Sequence, residues 1–148
     1  MKIPLNLINE QLQVVAFVKA PKYRLPLAVV SFVVDTGSNR SLLGYVEVER
    51  NNLPQNALKF VENSKIGGSN LGMYRLEGVT LVFTDKEGDA QRIEMDDFLA
   101  GMPTSKKREA QENARLIPSI LGLDFIIKTG LSLHCIPGKN EYYLEGTA

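Results

Sequence analysis

"FVVDTGSNRSLLG" (residues 32–44) carries an apolar run into a single acid, Asp35, and then into a turn of small and hydroxylated residues. Asp, Thr, Gly and Ser are ordinary punctuation for a strand, so the stretch alone says only that a strand stops here. Its meaning depends on what the rest of the chain sets beside that carboxylate.

Outward from it, the chain is punctuated at strand intervals. "LQVVAFVKA" (12–20) and "LPLAVVSFVV" (25–34) are apolar runs joined by "PKYR", the second rich in the β-branched residues that suit a pleated sheet. "GVTLVFT" (78–84) and "AQRIEMDDF" (90–98) flank "DKEGD", where Gly88 and the aspartates tolerate positive φ. "LSLHCI" (131–136) and "EYYLEG" (141–146) flank "PGKN" in the same manner. The expected class is mostly β. Helix is scarce: "SLLGYVEVERNNL" has weak helical spacing interrupted by Gly44, whereas "DFIIKTG" reads as a short helix capped by Asp124 and ended by Gly130. "MPTSKKREAQENAR" (102–115) is highly charged and reads as an exposed loop or short solvated helix.

Bulk properties exclude several classes. A chain of 148 residues suits one domain, 1–148, that buries about 70% of its unfolded surface. Seventeen basic and seventeen acidic residues cancel, so no global field favours nucleic acid or an acidic membrane surface, and no apolar stretch is long enough to span a bilayer. Neither nucleic acid nor membrane is expected as a partner. Cys135 is the only cysteine, which rules out an internal disulfide and favours a reducing compartment; the expected location is cytoplasmic.

His134 is the only histidine, so neither a histidine triad nor a histidine-rich metal site has its parts. Cys135 adjoins it, but neighbours on a strand face opposite ways and make no nucleophile-base dyad; Asp96 and Asp97 share that geometry. "IGGSNLG" lacks the Gly-Lys-Ser/Thr ending of a phosphate-binding loop. A phosphatase nucleophile at Asp35 would want a second Asp two places on, where Gly37 stands.

Two companions give Asp35 a role. "SKIGGSNLGMYRL" (64–76) is a glycine-rich stretch between apolar strands, the pattern of a mobile hairpin tip. "IPSILGLDF" (117–125) brings two bulky aliphatic residues to Gly122 and loosely echoes "FVVDTGS". With these three elements in this order, the chain resembles the retropepsin-like aspartic proteases, in the look of "ILGLDFI" the cellular and bacterial members more than the viral ones. The resemblance covers roughly residues 25–145, with 102–115 as a charged insertion.

It implies a single-domain acid protease fold of closed, barrel-like sheets, a flap hairpin and one short C-terminal helix. It implies the catalytic loop Asp35, Thr36, Gly37 and Ser38, a flap of Ile66, Gly67, Gly68, Ser69 and Asn70, and a supporting second motif of Ile120, Leu121 and Gly122. Peptide hydrolysis without metal or covalent intermediate needs a base to activate water and an acid to protonate the carbonyl oxygen. Two carboxylates sharing one proton do both, as aspartic proteases exemplify. This chain supplies one Asp-Thr-Gly triplet, so the second carboxylate would come from another copy on a two-fold axis. The implied protein is a homodimeric endopeptidase acting on extended peptides, with no metal or cofactor. Thr36 would bond across the axis and Ser38 would donate to ionised Asp35.

Viral members carry Asp two places after the triplet's Gly and Arg after the second motif's Gly, a pair that braces the dimer. Here those positions are Asn39 and Leu123, leaving the termini or "EYYLEG" to hold an interface. Two alternatives follow: a non-catalytic peptide-binding module on the same fold, or a protease that assembles only with a partner's help.

Overall fold

A computed structural model describes residues 1–146. Thirteen strands dominate it. The first group is β1 (Lys2–Pro4), β2 (Asn6–Ile8), β3 (Gln11–Ala20), β4 (Leu25–Val34) and β5 (Leu42–Leu43). Next come β6 (Lys59–Ile66), β7 (Ser69–Leu76), β8 (Val79–Thr84), β9 (Ala90–Met95) and β10 (Phe98–Met102). The last are β11 (Ser119–Leu121), β12 (Ser132–Ile136) and β13 (Glu141–Glu145). Helices α1 (Tyr45–Arg50), α2 (Arg108–Arg115) and α3 (Leu123–Thr129) fall between them.

Ten strands form one sheet in the order β6-β7-β10-β5-β11-β4-β3-β8-β9, with β2 on β3; β1, β13 and β12 make a second, three-stranded sheet. The path of the large sheet is open. The closed barrel expected from the sequence does not form, because β6 and β9 stand at opposite ends of the path with no pairing between them among the described residues. β6 is one arm of a protruding hairpin, and most of its side chains face solvent.

Alternation builds the core. Along β4 the side chains of Ala28, Val30, Phe32 and Val34 point inward and are buried. β3 pairs with it antiparallel, Val14 opposite Phe32, and buries Val14, Ala16 and Val18. Aromatic contacts tie distant segments together: Phe32 meets Phe98 edge-on at 6.1 Å between ring centroids, and Phe83 meets Phe125 of α3 at 5.8 Å with the rings tilted.

Three expectations need correction. "AQRIEMDDF" is not one strand, because Asp96 and Asp97 break it into β9 and β10, each carboxylate finding a separate cation, Lys128 for Asp96 and Arg40 for Asp97. Helix is not confined to α3: Gly44 precedes α1 instead of interrupting it, and of the two forms expected for the charged insertion the short helix is found, α2, mostly exposed with Ala114 buried and stapled by Arg108 and Glu112 at i, i+4. Asp124 is not the cap of α3; Gly122 holds that position, while Gly130 ends the helix at φ 68° as expected. Among the described residues, no helix is long and apolar enough to cross a membrane.

Candidate active site

β11 organises the site. It pairs parallel with β4, setting Leu121 beside Val34, and antiparallel with β5, setting Ile120 opposite Leu42. The loop between β4 and β5, which begins with Asp35, therefore has both ends fastened to one short strand. Its backbone is fastened as well. Asp35 N–H donates to Leu121 O at 3.0 Å, Leu123 N–H to Ser38 O at 2.7 Å and Asp124 N–H to Asn39 O at 3.3 Å.

A buried polar knot sits behind it. Ser41, fully buried, donates its hydroxyl proton to Asp124 Oδ1 at 2.7 Å and its backbone N–H to Oδ2 at 3.0 Å. The same hydroxyl accepts the Gly122 N–H at 2.9 Å. Gly122 has extended backbone (φ −95°, ψ −169°), so conformation does not demand glycine there; space does. A methyl group on it would stand 2.6 Å from Ser38 O and 2.8 Å from Arg40 O.

Within the loop, Gly37 N–H donates to Asp35 Oδ1 at 2.9 Å, and Ser38 N–H donates to Asp35 O at 3.1 Å, closing the turn. Ser38 does not donate to the Asp35 carboxylate as expected from the sequence; its hydroxyl is taken by Arg40 O at 3.0 Å. Asp35 itself is exposed to solvent.

β6 and β7 form the expected hairpin, with Ile66 opposite Ser69. Its two-residue tip has φ 57° at Gly67 and 81° at Gly68, the doubly positive turn whose twist matches the flanking strands. Tyr74 stacks edge-on with Phe60 at 5.4 Å.

The three segments converge on a cleft of about 410 Å³, lined by Asp35, Gly37, Ser38, Ile66, Gly67 and Ile120. The other proposed site residues lie elsewhere. Thr36 is exposed at the loop tip, and Leu121 and Gly122 are buried behind it. Gly68, Ser69 and Asn70 border a separate cleft of about 220 Å³ shared with Thr104 and Lys107 of the insertion. Met73 and Leu99 also line the main cleft; nothing in the sequence distinguished them from core residues.

The insertion is anchored to the body of the domain. Arg115 forks onto Glu49 of α1 at 2.7 and 2.9 Å and lies over the Tyr45 ring at 5.6 Å. The guanidinium holds the Glu49 carboxyl below the usual carboxylate range, while burial, and then the Glu49 charge, push the Tyr45 phenol up. Among the described residues no group of three or more His, Cys, Asp or Glu side chains converges as a metal site would require.

No protein-family model and no curated protein matches the chain. Among solved structures, it is similar to a retropepsin-like aspartic protease from Rickettsia conorii, with a TM-score of 0.55 at 16% identity, over 97% of this chain and 88% of that one. At that identity the likeness speaks for architecture: the chain has a mostly β fold of the retropepsin-like kind.

Proposed function

We propose that the chain is an aspartic endopeptidase that works as a homodimer, with Asp35 of each copy at a shared two-fold axis. The observation that carries this is the cleft in which an exposed Asp35, a glycine-tipped hairpin and Ile120 meet, behind which the loop's backbone is fastened at Asp35, Ser38 and Asn39. A peptide-binding module would need the cleft and the hairpin, but no unpaired carboxylate held in place from behind. The retropepsin-like neighbour supports the same activity.

In the proposed reaction one Asp35 carboxylate takes a proton from a water as its oxygen bonds to the peptide carbonyl carbon. The protonated carboxyl of the other copy gives its proton to the carbonyl oxygen. The tetrahedral adduct then collapses: the first carboxyl gives its proton to the nitrogen as the C–N bond breaks, one adduct hydroxyl gives its proton to the second carboxylate as the product carboxyl forms, and the pair again holds one proton between them. The Gly67–Gly68 tip closes over an extended substrate and excludes water.

The dimer needs a surface, and the strand order narrows the choice. β13, which holds "EYYLEG", lies between β1 and β12, so both its edges are occupied and it cannot pair with another copy. β1 is paired with its own chain's β13 and receives the Lys86 N–H at Lys2 O, at 2.7 Å. The outer edge of β12 carries no strand among the described residues and is the proposed seam. The single cysteine keeps a reducing, cytoplasmic setting as the proposed location. Asp35→Asn is the test: peptide cleavage should vanish while fold and dimer persist, and cleavage surviving in that variant would end the proposal.

A further inference from the structure

Beside Asp35, the cleft wall carries a cation that catalysis by Asp35 does not use. Arg40 lines it, on the same loop as Asp35. Its Nη2 is 3.0 Å from Asp97 Oδ1, and Arg75 Nη2 stands 3.7 Å from the same oxygen. Two guanidiniums share one carboxylate, so the cluster holds one net positive charge at the cleft wall. The other charged residues lining the cleft besides Asp35, Glu62 and Lys65 of the hairpin, cancel.

Arg40 is placed to use that charge. Only one of its nitrogens is bonded to Asp97, and a guanidinium carries five N–H donors in a planar fork suited to carboxylates. Its backbone is fixed independently by Ser38 Oγ at 3.0 Å, so the side chain projects from a held position. We infer that Arg40 selects an acidic side chain, Asp or Glu, in the bound peptide. This rests on the peptide-binding role proposed above and adds a chemical class to it.

The place of that side chain is bounded. Five residues of backbone span at most about 17 Å, and Asp35 and Arg40 are closer because the loop turns. Since an extended peptide advances about 3.3 Å per residue, the acidic residue falls within about five residues of the scissile bond. A two-fold dimer carries two copies of Arg40 on opposite sides of the axis, so the preference must recur at mirror positions on both sides of the cut.

The test is a set of labelled extended peptides in which a single Glu, or the near-isosteric Gln, is moved along the chain. Binding to the Asp35→Asn protein is read by fluorescence anisotropy, and cleavage by the wild type is read on the same set. Glu should outbind Gln about tenfold at one position and its mirror, with the gap narrowing at high salt. Arg40→Gln should abolish the difference, and Asp97→Asn, by removing the internal competitor, should widen it. Equal binding of Glu and Gln peptides at every position, or a preference that survives Arg40→Gln, overturns the inference. A Glu preference in binding without cleavage would sustain the role of Arg40 and end the endopeptidase proposal; cleavage without the preference would do the reverse.

Discussion

Ser41 donates its hydroxyl proton to Asp124 across 2.7 Å, joining residues 83 positions apart in the chain. Because the same hydroxyl accepts the Gly122 N–H, it is the node that registers the Asp35 loop against the start of α3. Ser41→Ala would leave the buried Gly122 N–H without its partner and Asp124 Oδ1 with only the Phe125 N–H, at a cost of about 1–3 kcal/mol. Urea denaturation should show that loss, and turnover should fall although Ser41 touches no substrate. Ser41→Thr keeps the hydroxyl but adds a methyl to a fully buried site, so it should recover the hydrogen bonds only partly.

Gly122→Ala tests the close approach of two backbones. The added methyl meets carbonyl oxygens, which cannot rotate away as a side chain would. Overpacking of this kind costs about 1–3 kcal/mol, and here the strain falls on Ser38 and Arg40. The expected outcome is a lower urea midpoint together with a larger loss in kcat than a stability change alone explains.

The hairpin tip separates activity from stability. At Gly68, φ is 81° and nothing lies within 4 Å of an added Cβ, so Gly68→Ala meets no clash and costs only left-handed backbone strain, about 1–2 kcal/mol. The urea midpoint should fall by no more than that strain accounts for, because no packing is lost at the tip. A loss in kcat/KM beyond that small change is expected; an unchanged kcat/KM would separate the hairpin from catalysis.

Asp85 sets an acid limit on the fold. Buried in the β8–β9 turn, its carboxylate accepts Gln91 Nε2 at 2.8 Å and the N–H groups of Asp89 at 2.9 Å and Glu87 at 3.0 Å. The Gln91 amide first, then those backbone donors, hold its carboxyl below the usual aspartate range, against the burial that opposes them. A depressed folded value means the contribution is complete above the ordinary aspartate value of about 4 and is lost as pH falls toward the folded value. Urea midpoints measured from about pH 6 to about pH 3 should therefore drop, and Asp85→Asn should flatten part of that slope. Glu49, depressed by Arg115, contributes in the same direction and keeps the remainder.

What was legible in the sequence was local. An apolar strand ending in Asp35-Thr36-Gly37-Ser38, two adjacent glycines between apolar strands, and Ile120-Leu121-Gly122 each announce themselves within a dozen residues, because turn chemistry and alternation act over that range. The links between them do not. Asp124 matches the local rule for a helix cap, yet its carboxylate serves Ser41, and Ser38 spends its hydroxyl on Arg40 O. Arg40 has no local mark of a role either; its partner Asp97 comes from the link between β9 and β10, far along the chain. Met73 and Leu99 carry no mark that separates a cleft wall from a core.

The dependence of the Asp35 loop on β11 also has a consequence for synthesis. The loop's partners, Leu121, Leu123 and Asp124, are translated more than 80 residues after Asp35, about 4–17 s later at ordinary elongation rates. Until then β4 lacks its parallel neighbour and the carboxylate has no fixed place. On the proposed function, a growing chain therefore stays inert while it is still being made.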